Sequence, residues 1–215
     1  MIVKITEFKE WWKMDSYWNH NVAFHDLLVA DVKKRGGRVL DIGCGEGLLI
    51  QRLMPFATHV VGIDPDEEAI TRAQKRLGQT SNVTLINKDF LTLPVPDQDE
   101  RFDTITCVAT LHHMELRTAL LKMRKFLAPG GRLLIVGLSA NKTILDFLIS
   151  GLLVIPIRLM DRLHGGVKHV GVKIASPKES LSEIRQVTCE VLPNAKIQRR
   201  FYYRYLLIWD QEMEN

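Results

Sequence analysis

The chain has 215 residues, of which 46% are hydrophobic and 25% are charged, and its formal net charge is +4. This length suits one domain with an addition, and the composition excludes a disordered or fibrous protein. The three cysteines, Cys44, Cys107 and Cys189, are far apart and form no CxxC pair. They argue against a disulfide framework or a structural zinc site and favour a reducing compartment, so we expect a cytoplasmic protein.

The first half of the chain predicts an alternation of helices and strands. Residues 5–35 are expected to be helical and are rich in tryptophan. From Arg38 onward, the runs "RVLDIG", "THVVGID", "NVTLIN", "FDTITCVA" and "RLLIVGL" predict five strands. Between them, "DEEAITRAQKRL" and "ELRTALLKMRKFL" each carry one apolar helical face, and "APGG" is expected to end the second helix with a left-handed glycine. This order predicts parallel strands joined by crossover helices.

The second half departs from this alternation. Residues 143–163 predict an apolar helical segment broken at Pro156, whose uncharged run is too short to cross a bilayer. The loop "HGGVKHVG" is expected to act as a hinge, and a helix is expected near 177–191. The last segment, "AKIQRRFYYRYLLIWD", is long enough for one bent strand or two short paired strands.

The strongest functional signal is the loop "LDIGCGEG" between the first strand and the next helix. Gly43, Gly45 and Gly47 allow a sharp turn and leave no β-carbon between the loop and a ligand. Dinucleotide sites favour GxGxxG and an uncrowded diphosphate, whereas this loop has GxGxG spacing with Asp41 before it and Glu46 within it. The loop therefore favours a net cation, such as an adenosyl sulfonium compound, over a diphosphate.

Five motifs in order extend this interpretation to a family. "DIGCGEG", Asp64 in "VVGIDP", "NKDF", "FDTITCVATLHHM" and "LAPGGRLLIV" resemble the successive motifs of class I S-adenosylmethionine-dependent methyltransferases over about residues 36–138. The resemblance implies an α/β fold with a Rossmann-like seven-stranded, mostly parallel sheet, helices on both faces and antiparallel C-terminal strands. It implies one domain with a helical cap (1–35), a cofactor-binding core (36–138), an insert or lid (139–176) and a C-terminal helix with strands (177–215).

The resemblance also implies a role for individual residues. Asp41 would support the glycine loop, and Asp64 would accept hydrogen bonds from both ribose hydroxyls. Asp89 would bind the adenine amino group. The family further implies that the loop residues Gly43, Cys44, Gly45 and Gly47 contact the cofactor and that Pro65 and Phe90 lie beside the adenine. The backbone carbonyls of Gly43, Val108 and Ala109 would face the ammonium group. The aromatic residues Tyr17 and Trp18 would close over the cofactor.

Several of these residues also have a purely structural interpretation. Asp64 could cap the following helix, with Pro65 at its first position and Glu67 closing a capping box. Asp89 could form a turn. Tyr17 and Trp18 could pack within the N-terminal helices.

The adjacent histidines His112 and His113 follow the fourth strand. As residues at a strand end they should point to opposite faces, so only one can face a substrate, and they cannot readily share a metal ion. No metal site is expected. One histidine could act as a general base, or merely pack over the cofactor. The family's Asn/Asp-Pro-Pro-aromatic signature of adenine and glutamine methylases is absent here, which argues against those acceptors.

These patterns predict transfer of a methyl group from S-adenosylmethionine to a small apolar acceptor, with S-adenosylhomocysteine as product. An apolar set on the insert either covers the acceptor or packs on the sheet: Ile144, Leu148, Leu152, Ile155 and Leu159. Three alternatives remain. They are an NAD(P)-dependent oxidoreductase, a protein that binds S-adenosylmethionine without catalysis, and an RNA methyltransferase. The last is suggested only by the basic and aromatic run "KIQRRFYYR".

Overall fold

A seven-stranded sheet forms the centre of the protein. The computed structural model describes residues 19–163 and 175–213. The sheet order is β3-β2-β1-β4-β5-β7-β6, with β1 to β5 parallel and β7 antiparallel to both of its neighbours. The strands are β1 (Arg38–Ile42), β2 (His59–Asp64), β3 (Val83–Asn87), β4 (Phe102–Val108), β5 (Leu127–Leu138), β6 (Lys196–Arg200) and β7 (Arg204–Asp210). The predicted fold class is confirmed.

Helices cover both faces of this sheet. They are α1 (His25–Arg35), α2 (Leu48–Leu53), α3 (Glu67–Leu77), α4 (Leu116–Phe126), α5 (Ile144–Leu163) and α6 (Leu181–Val191). Side chains of α4 and α6 belong to one hydrophobic cluster, and those of α1, α2, α3 and α5 to a second. The neighbouring strand residues Val60 and Val61 lie in different clusters because successive side chains of a strand point to opposite faces.

Helix α3 buries the face that its sequence predicts, but its cap is not the predicted one. Ala69, Ile70, Ala73 and Leu77 are all buried. The N-cap is Asp66, whose carboxylate accepts hydrogen bonds from the backbone N–H groups of Glu68 and Ala69. The capping role considered for Asp64 is therefore wrong, since the helix begins two residues later than that role requires.

The "APGG" motif belongs to β5 rather than to a helix cap. Helix α4 ends at Phe126, and Leu127 is already extended, with φ −78° and ψ 140°. The left-handed glycine is Gly130, with φ 73°, which lies inside the strand. The predicted glycine cap is wrong because the chain passes directly from the last helical turn into the sheet.

Helix α5 is continuous through Pro156, so the predicted break there is wrong. A proline within a helix removes the hydrogen bond to the carbonyl four residues earlier, here that of Leu152. Both Pro156 and Leu152 are exposed, so water can reach that carbonyl. The expected hinge "HGGVKHVG" lies outside the described residues.

The C-terminal elements form a capped helix followed by a hairpin. Helix α6 begins at Leu181, later than predicted, after a capping box made by Ser180 and Glu183. Strands β6 and β7 pair antiparallel, so two short strands replace the alternative of one bent strand. Tyr202 and Tyr203 in the connecting turn both have left-handed φ angles, 58° and 57°. The limits proposed above for the cap and the lid stay predictions.

Candidate active site

A cavity of about 280 Å³ lies at the carboxyl ends of β1, β2 and β4. The strand order reverses between β1 and β4, which is where open α/β sheets bind ligands. Of the predicted site residues, nine line it: Asp41, Gly43, Cys44, Gly45, Asp64, Pro65, Val108, Ala109 and His113. A larger depression of about 540 Å³ beside the end of α3 and the start of β3 contains no predicted site residue.

The glycine loop is close-packed at one glycine and open at the next. A β-carbon on Gly43 would lie 2.0 Å from Oγ1 of Thr110, and φ at Gly43 is 71°. A β-carbon on Gly45 would meet no atom within 4 Å, although its φ of 53° is also left-handed. Gly43 thus allows the loop to approach the end of β4, whereas Gly45 leaves space on the cavity side.

Asp64 ends β2 and is bonded to the glycine loop. Its Oδ2 accepts a hydrogen bond of 2.9 Å from the Gly45 N–H, and its Oδ1 accepts one of 2.9 Å from the Asp66 N–H. Each carboxylate oxygen has further lone pairs after one such bond. The side chain is therefore held in a fixed orientation at the cavity with accepting capacity left on both oxygens.

Asp41 is a buried carboxyl group behind the loop. It pairs across the strands with Thr106, whose hydroxyl donates a 2.7 Å hydrogen bond to Oδ1 of Asp41. Burial raises the pKa of Asp41 to about 7, the charge of Asp64 adds to this increase, and the Thr106 hydrogen bond opposes it. A nearby positive ligand would stabilise the ionised form of Asp41.

The end of β4 carries a strained backbone. Ala109 has φ 52°, a left-handed value that is rare outside glycine, while its N–H still donates a 2.7 Å hydrogen bond to the carbonyl of Val136. Thr110 donates from its hydroxyl to the carbonyl of Val108 at 3.1 Å. This arrangement ends the strand abruptly and places Val108 and Ala109 in the cavity wall.

The two histidines lie on a 3-10 turn, Leu111–His113, rather than at the strand end. Their rings are therefore neighbours, with centroids 4.2 Å apart, and the predicted opposite orientation is wrong. His113 is exposed and lines the cavity, while His112 is half-buried and does not. Burial is the main cause that lowers the pKa of His112 to about 4, and the neighbouring His113 and the charge of Arg204 lower it further, so the His112 ring is neutral at pH 7.

Three of the predicted cofactor residues that the structure describes, Asp89, Phe90 and Gly47, lie outside the cavity lining. Asp89 caps a 3-10 turn, accepting a 2.8 Å hydrogen bond from the Leu91 N–H, and Phe90 packs against Phe126 in the core, so neither lines the cavity. Their roles toward adenine stay predictions. Gly47 is the N-cap of α2 and also lies outside the lining. Tyr17 and Trp18 precede the described residues.

The N-terminal segment supplies cavity residues that sequence reasoning missed, namely Asn19, Asn21, Val22 and His25. Oδ1 of Asn21 accepts hydrogen bonds of 2.9 and 3.2 Å from the guanidinium of Arg204 on β7. His25 is 5% exposed, and burial and the charge of Arg52 lower its pKa to about 4. No local motif indicates these residues, because Asn21 is held by a residue 183 positions away.

The cavity lining is acidic. Asp41, Glu46, Asp64 and Asp66 all contribute to it, and among the described residues no lysine or arginine does. The carboxylate of Glu46 also pairs with Arg76 at 2.7 Å, so its charge is partly compensated. Burial is the main cause that raises the pKa of the Cys44 thiol, and the charges of Asp41 and Asp64 raise it further. Cys44 is therefore no nucleophile.

The described part of the chain contains no group of three or more His, Cys, Asp or Glu side chains placed to hold a metal ion. The acidic cavity, the open space at Gly45 and the oriented Asp64 together fit a cationic nucleoside ligand better than a diphosphate. That chemistry agrees with the adenosyl sulfonium interpretation of the sequence.

Comparison with known proteins identifies the family. Residues 39–131 match the model of a methyltransferase domain. The uncharacterized methyltransferase Rv0089 of Mycobacterium tuberculosis is 32% identical over 197 residues, covering 91% of this chain and 98% of the relative. Two crystal structures share the fold. The N-methyltransferase NodS from Bradyrhizobium japonicum WM9 in complex with S-adenosyl-l-homocysteine has 22% identity, a TM-score of 0.60 and coverage of 93% of this chain and 91% of that one.

The PH0226 protein from Pyrococcus horikoshii OT3 has 20% identity, a TM-score of 0.63 and coverage of 89% of each chain. The two structures support the fold, while the mycobacterial relative, which matches nearly the whole chain, supports membership of a family. The oxidoreductase alternative is thereby removed. The chain belongs to the class I S-adenosylmethionine-dependent methyltransferases, enzymes that take their methyl group from S-adenosylmethionine.

Proposed function

We propose that the enzyme methylates a small apolar acceptor at the cavity between the glycine loop and the turn after β4. The observation that carries this proposal is the acidic cavity wall without lysine or arginine in the described residues, which suits a cationic donor and disfavours a polyanionic acceptor. Bound S-adenosylmethionine supplies an electrophilic methyl group on its sulfonium sulfur.

The protein's part in this reaction is mainly positioning. Asp64 binds the ribose hydroxyls through its two oriented oxygens, and the loop at Gly45 leaves room for the ligand. The carbonyls of Gly43, Val108 and Ala109 accept hydrogen bonds from the ammonium group. Holding two reactants in line contributes about 7–11 kcal/mol to catalysis, more than a general base does.

We assign the optional proton acceptor to His113 rather than His112, because only His113 lines the cavity. His112 supports it from the side at a ring separation of 4.2 Å. Tyr17 and Trp18 are proposed to close over the cofactor, which is supported by the position of the next residue, Asn19, in the cavity wall.

Two observations disfavour RNA as the acceptor. Arg199 pairs with Asp146 at 2.7 Å, and Arg204 binds Asn21, so two of the arginines in "KIQRRFYYR" stabilise the fold. Tyr202 is buried and stacks on His20 at 4.7 Å.

We also propose a cytoplasmic location, which is supported by free cysteines at positions 44, 107 and 189.

The test is the variant Asp64→Ala, compared with Glu115→Ala. Both side chains accept hydrogen bonds from two backbone N–H groups, but Glu115 caps α4 and does not line the cavity. Since a hydrogen bond to a charged group contributes about 1.5–3 kcal/mol, Asp64→Ala should weaken S-adenosylhomocysteine binding more than about tenfold in calorimetry. Glu115→Ala should leave this affinity unchanged. Equal affinities in all three proteins would remove Asp64 from the site.

Asp64→Ala also serves as the negative control in a search for the methyl acceptor. Enzyme supplied with methyl-labelled donor and a panel of small apolar alcohols, phenols and amines should produce label that is extractable into organic solvent. Label recovered in RNA instead, and absent from the extract, would contradict the proposed acceptor class.

A further inference from the structure

Helix α5 exposes an apolar surface that is not part of the cavity lining. Seven large apolar side chains of this helix are between 58% and 82% exposed, and we call them the α5 stripe: Ile144, Phe147, Leu148, Leu152, Ile155, Leu159 and Leu163. They recur at helical spacing along a 20-residue helix. Large apolar side chains that stay exposed along the whole length of one helix indicate an interaction site, because soluble monomers rarely present large exposed apolar patches.

The orientation of the stripe follows from contacts on the opposite face of α5. Ile157 is buried in the cluster that contains Tyr202 and Leu206. Asp146 accepts a 2.7 Å hydrogen bond from Arg199, and Asp161 lies 2.9 Å from the His20 ring nitrogen. These contacts secure α5 at both ends, so the stripe faces away from the protein core.

The remaining charges on α5 are positive. Its two acidic side chains, Asp146 and Asp161, are the ones engaged by Arg199 and His20. Arg158 and Arg162 are exposed, and neither forms a hydrogen bond or ion pair with any described residue. The outward surface of α5 therefore combines an apolar stripe with two arginines that have no acidic partner in the described parts of the chain.

We propose that the α5 stripe docks the enzyme on an anionic lipid bilayer. Apolar side chains of a surface helix insert at the boundary of headgroups and acyl chains, while arginines extend to lipid phosphates. A second copy of the chain is a poorer partner, because pairing two stripes would bury Arg158 and Arg162 against apolar side chains without an acid. The helix lies on the membrane and does not cross it, and no described helix is long and apolar enough to cross one.

The helix that carries the stripe is linked to the cavity wall through its inward face. Asp161 contacts His20, and the two residues on either side of His20, Asn19 and Asn21, line the cavity. Docking would bring the cavity near the lipid, where apolar acceptors concentrate. Only this link to the acceptor rests on the proposed function, and the docking itself does not.

The first test is cosedimentation of the full chain with vesicles in the absence of donor. The protein should bind vesicles of equal parts phosphatidylglycerol and phosphatidylcholine. The variant Leu152→Glu/Ile155→Glu should bind them at least about a hundredfold more weakly, because it places charges in the stripe. Leu121→Glu, at an exposed leucine of α4, is the control and should bind like the wild type.

The second test separates docking from general attraction of a basic protein. Arg158→Gln/Arg162→Gln should weaken binding about thirtyfold, whereas Lys75→Gln/Lys125→Gln, the same charge change on exposed residues of α3 and α4, should have little effect. An equal loss in both variants would overturn the proposal.

Two further outcomes would also overturn it. One is wild-type protein that fails to bind anionic vesicles. The other is a concentration-dependent dimer, seen by analytical ultracentrifugation, that Leu152→Glu abolishes, since the stripe would then belong to a second copy. All variants should retain S-adenosylhomocysteine affinity in calorimetry, so a failure of docking is distinguishable from a failure of the catalytic proposal.

Discussion

Helices α3 and α5 both pack on the same hydrophobic cluster, yet the side chains that they present to solvent differ in polarity. α3 buries one stripe, including Ile70, and presents charged side chains on its other face. α5 buries Ile157 and presents an apolar stripe. Apolar periodicity therefore identifies the buried face of a helix only where the other face is polar. In α5 the pattern predicted contact for residues that the structure leaves exposed.

Substitutions on the two helices should differ most in their effect on stability. Ile70→Ala on α3 removes a side chain that is 5% exposed, and should lower the free energy of unfolding by about 2–5 kcal/mol in urea denaturation. Leu152→Ala on α5, at 79% exposed, should change it by less than about 0.5 kcal/mol. A comparable loss in both variants would mean that the α5 stripe is covered in solution.

Gly78, the C-cap of α3, provides a matched control for Gly45 in the glycine loop. A methyl group at Gly45 or at Gly78 would meet no atom within 4 Å, and both residues have left-handed φ angles, 53° and 63°. Gly45→Ala and Gly78→Ala should therefore each cost about 1–2 kcal/mol of stability. Only Gly45 lines the active-site cavity, so Gly45→Ala alone should weaken S-adenosylhomocysteine binding, by about tenfold or more in calorimetry. Equal ligand affinity in the two variants would place the ligand away from the loop.

The smallest expected effect concerns pH. Because the pKa of Asp41 is raised from 3.8 to about 7 in the folded protein, its stabilising contribution is complete below pH 3.8 and is lost as the pH rises through 7. Between pH 6 and pH 8, the wild type should therefore lose about 1 kcal/mol more of unfolding free energy than Asp41→Asn.

The difference between the two proteins is the quantity to measure, since His25 affects both. The pKa of His25 is lowered to about 4, so its contribution is present above 6.5 and is lost as the pH falls. Parallel pH profiles for wild type and Asp41→Asn would show that Asp41 is ionised throughout this range.

Much of the fold was predictable because its signals are local. Strands β1 to β5 are short apolar runs, and α3 and α4 each carry one apolar face, so their order and the parallel sheet follow from pattern alone. The failed predictions concern local details for which the sequence allows more than one choice. Asp64 and Asp66 are both acceptable N-caps two residues apart, and the pattern gave no basis for choosing Asp66. Pro156 remains within a helix because the carbonyl that it leaves unpaired is accessible to water.

The site was predictable in its glycine loop and less so around it. Gly43, Gly45 and Asp64 belong to a motif whose spacing reflects ligand chemistry, and the structure brings them to one cavity. Asn21 and His25 were missed because their positions depend on contacts with distant parts of the chain, such as Arg204. The turn bearing His112 and His113 was mistaken for a strand end, since the left-handed Ala109 that ends β4 is not a residue type that predicts such a backbone.

The hydrogen bonds between Asn21 and Arg204 also affect the order in which this enzyme can mature on the ribosome. The sheet strands β1 to β5 and the glycine loop are synthesised first, but the residue that fixes the N-terminal wall of the cavity belongs to the last strand. A nascent chain that lacks β7 leaves Asn21 without this anchor. The core strands can therefore be synthesised before this wall of the cavity has its anchor, and at that stage their folding depends on their own packing energy.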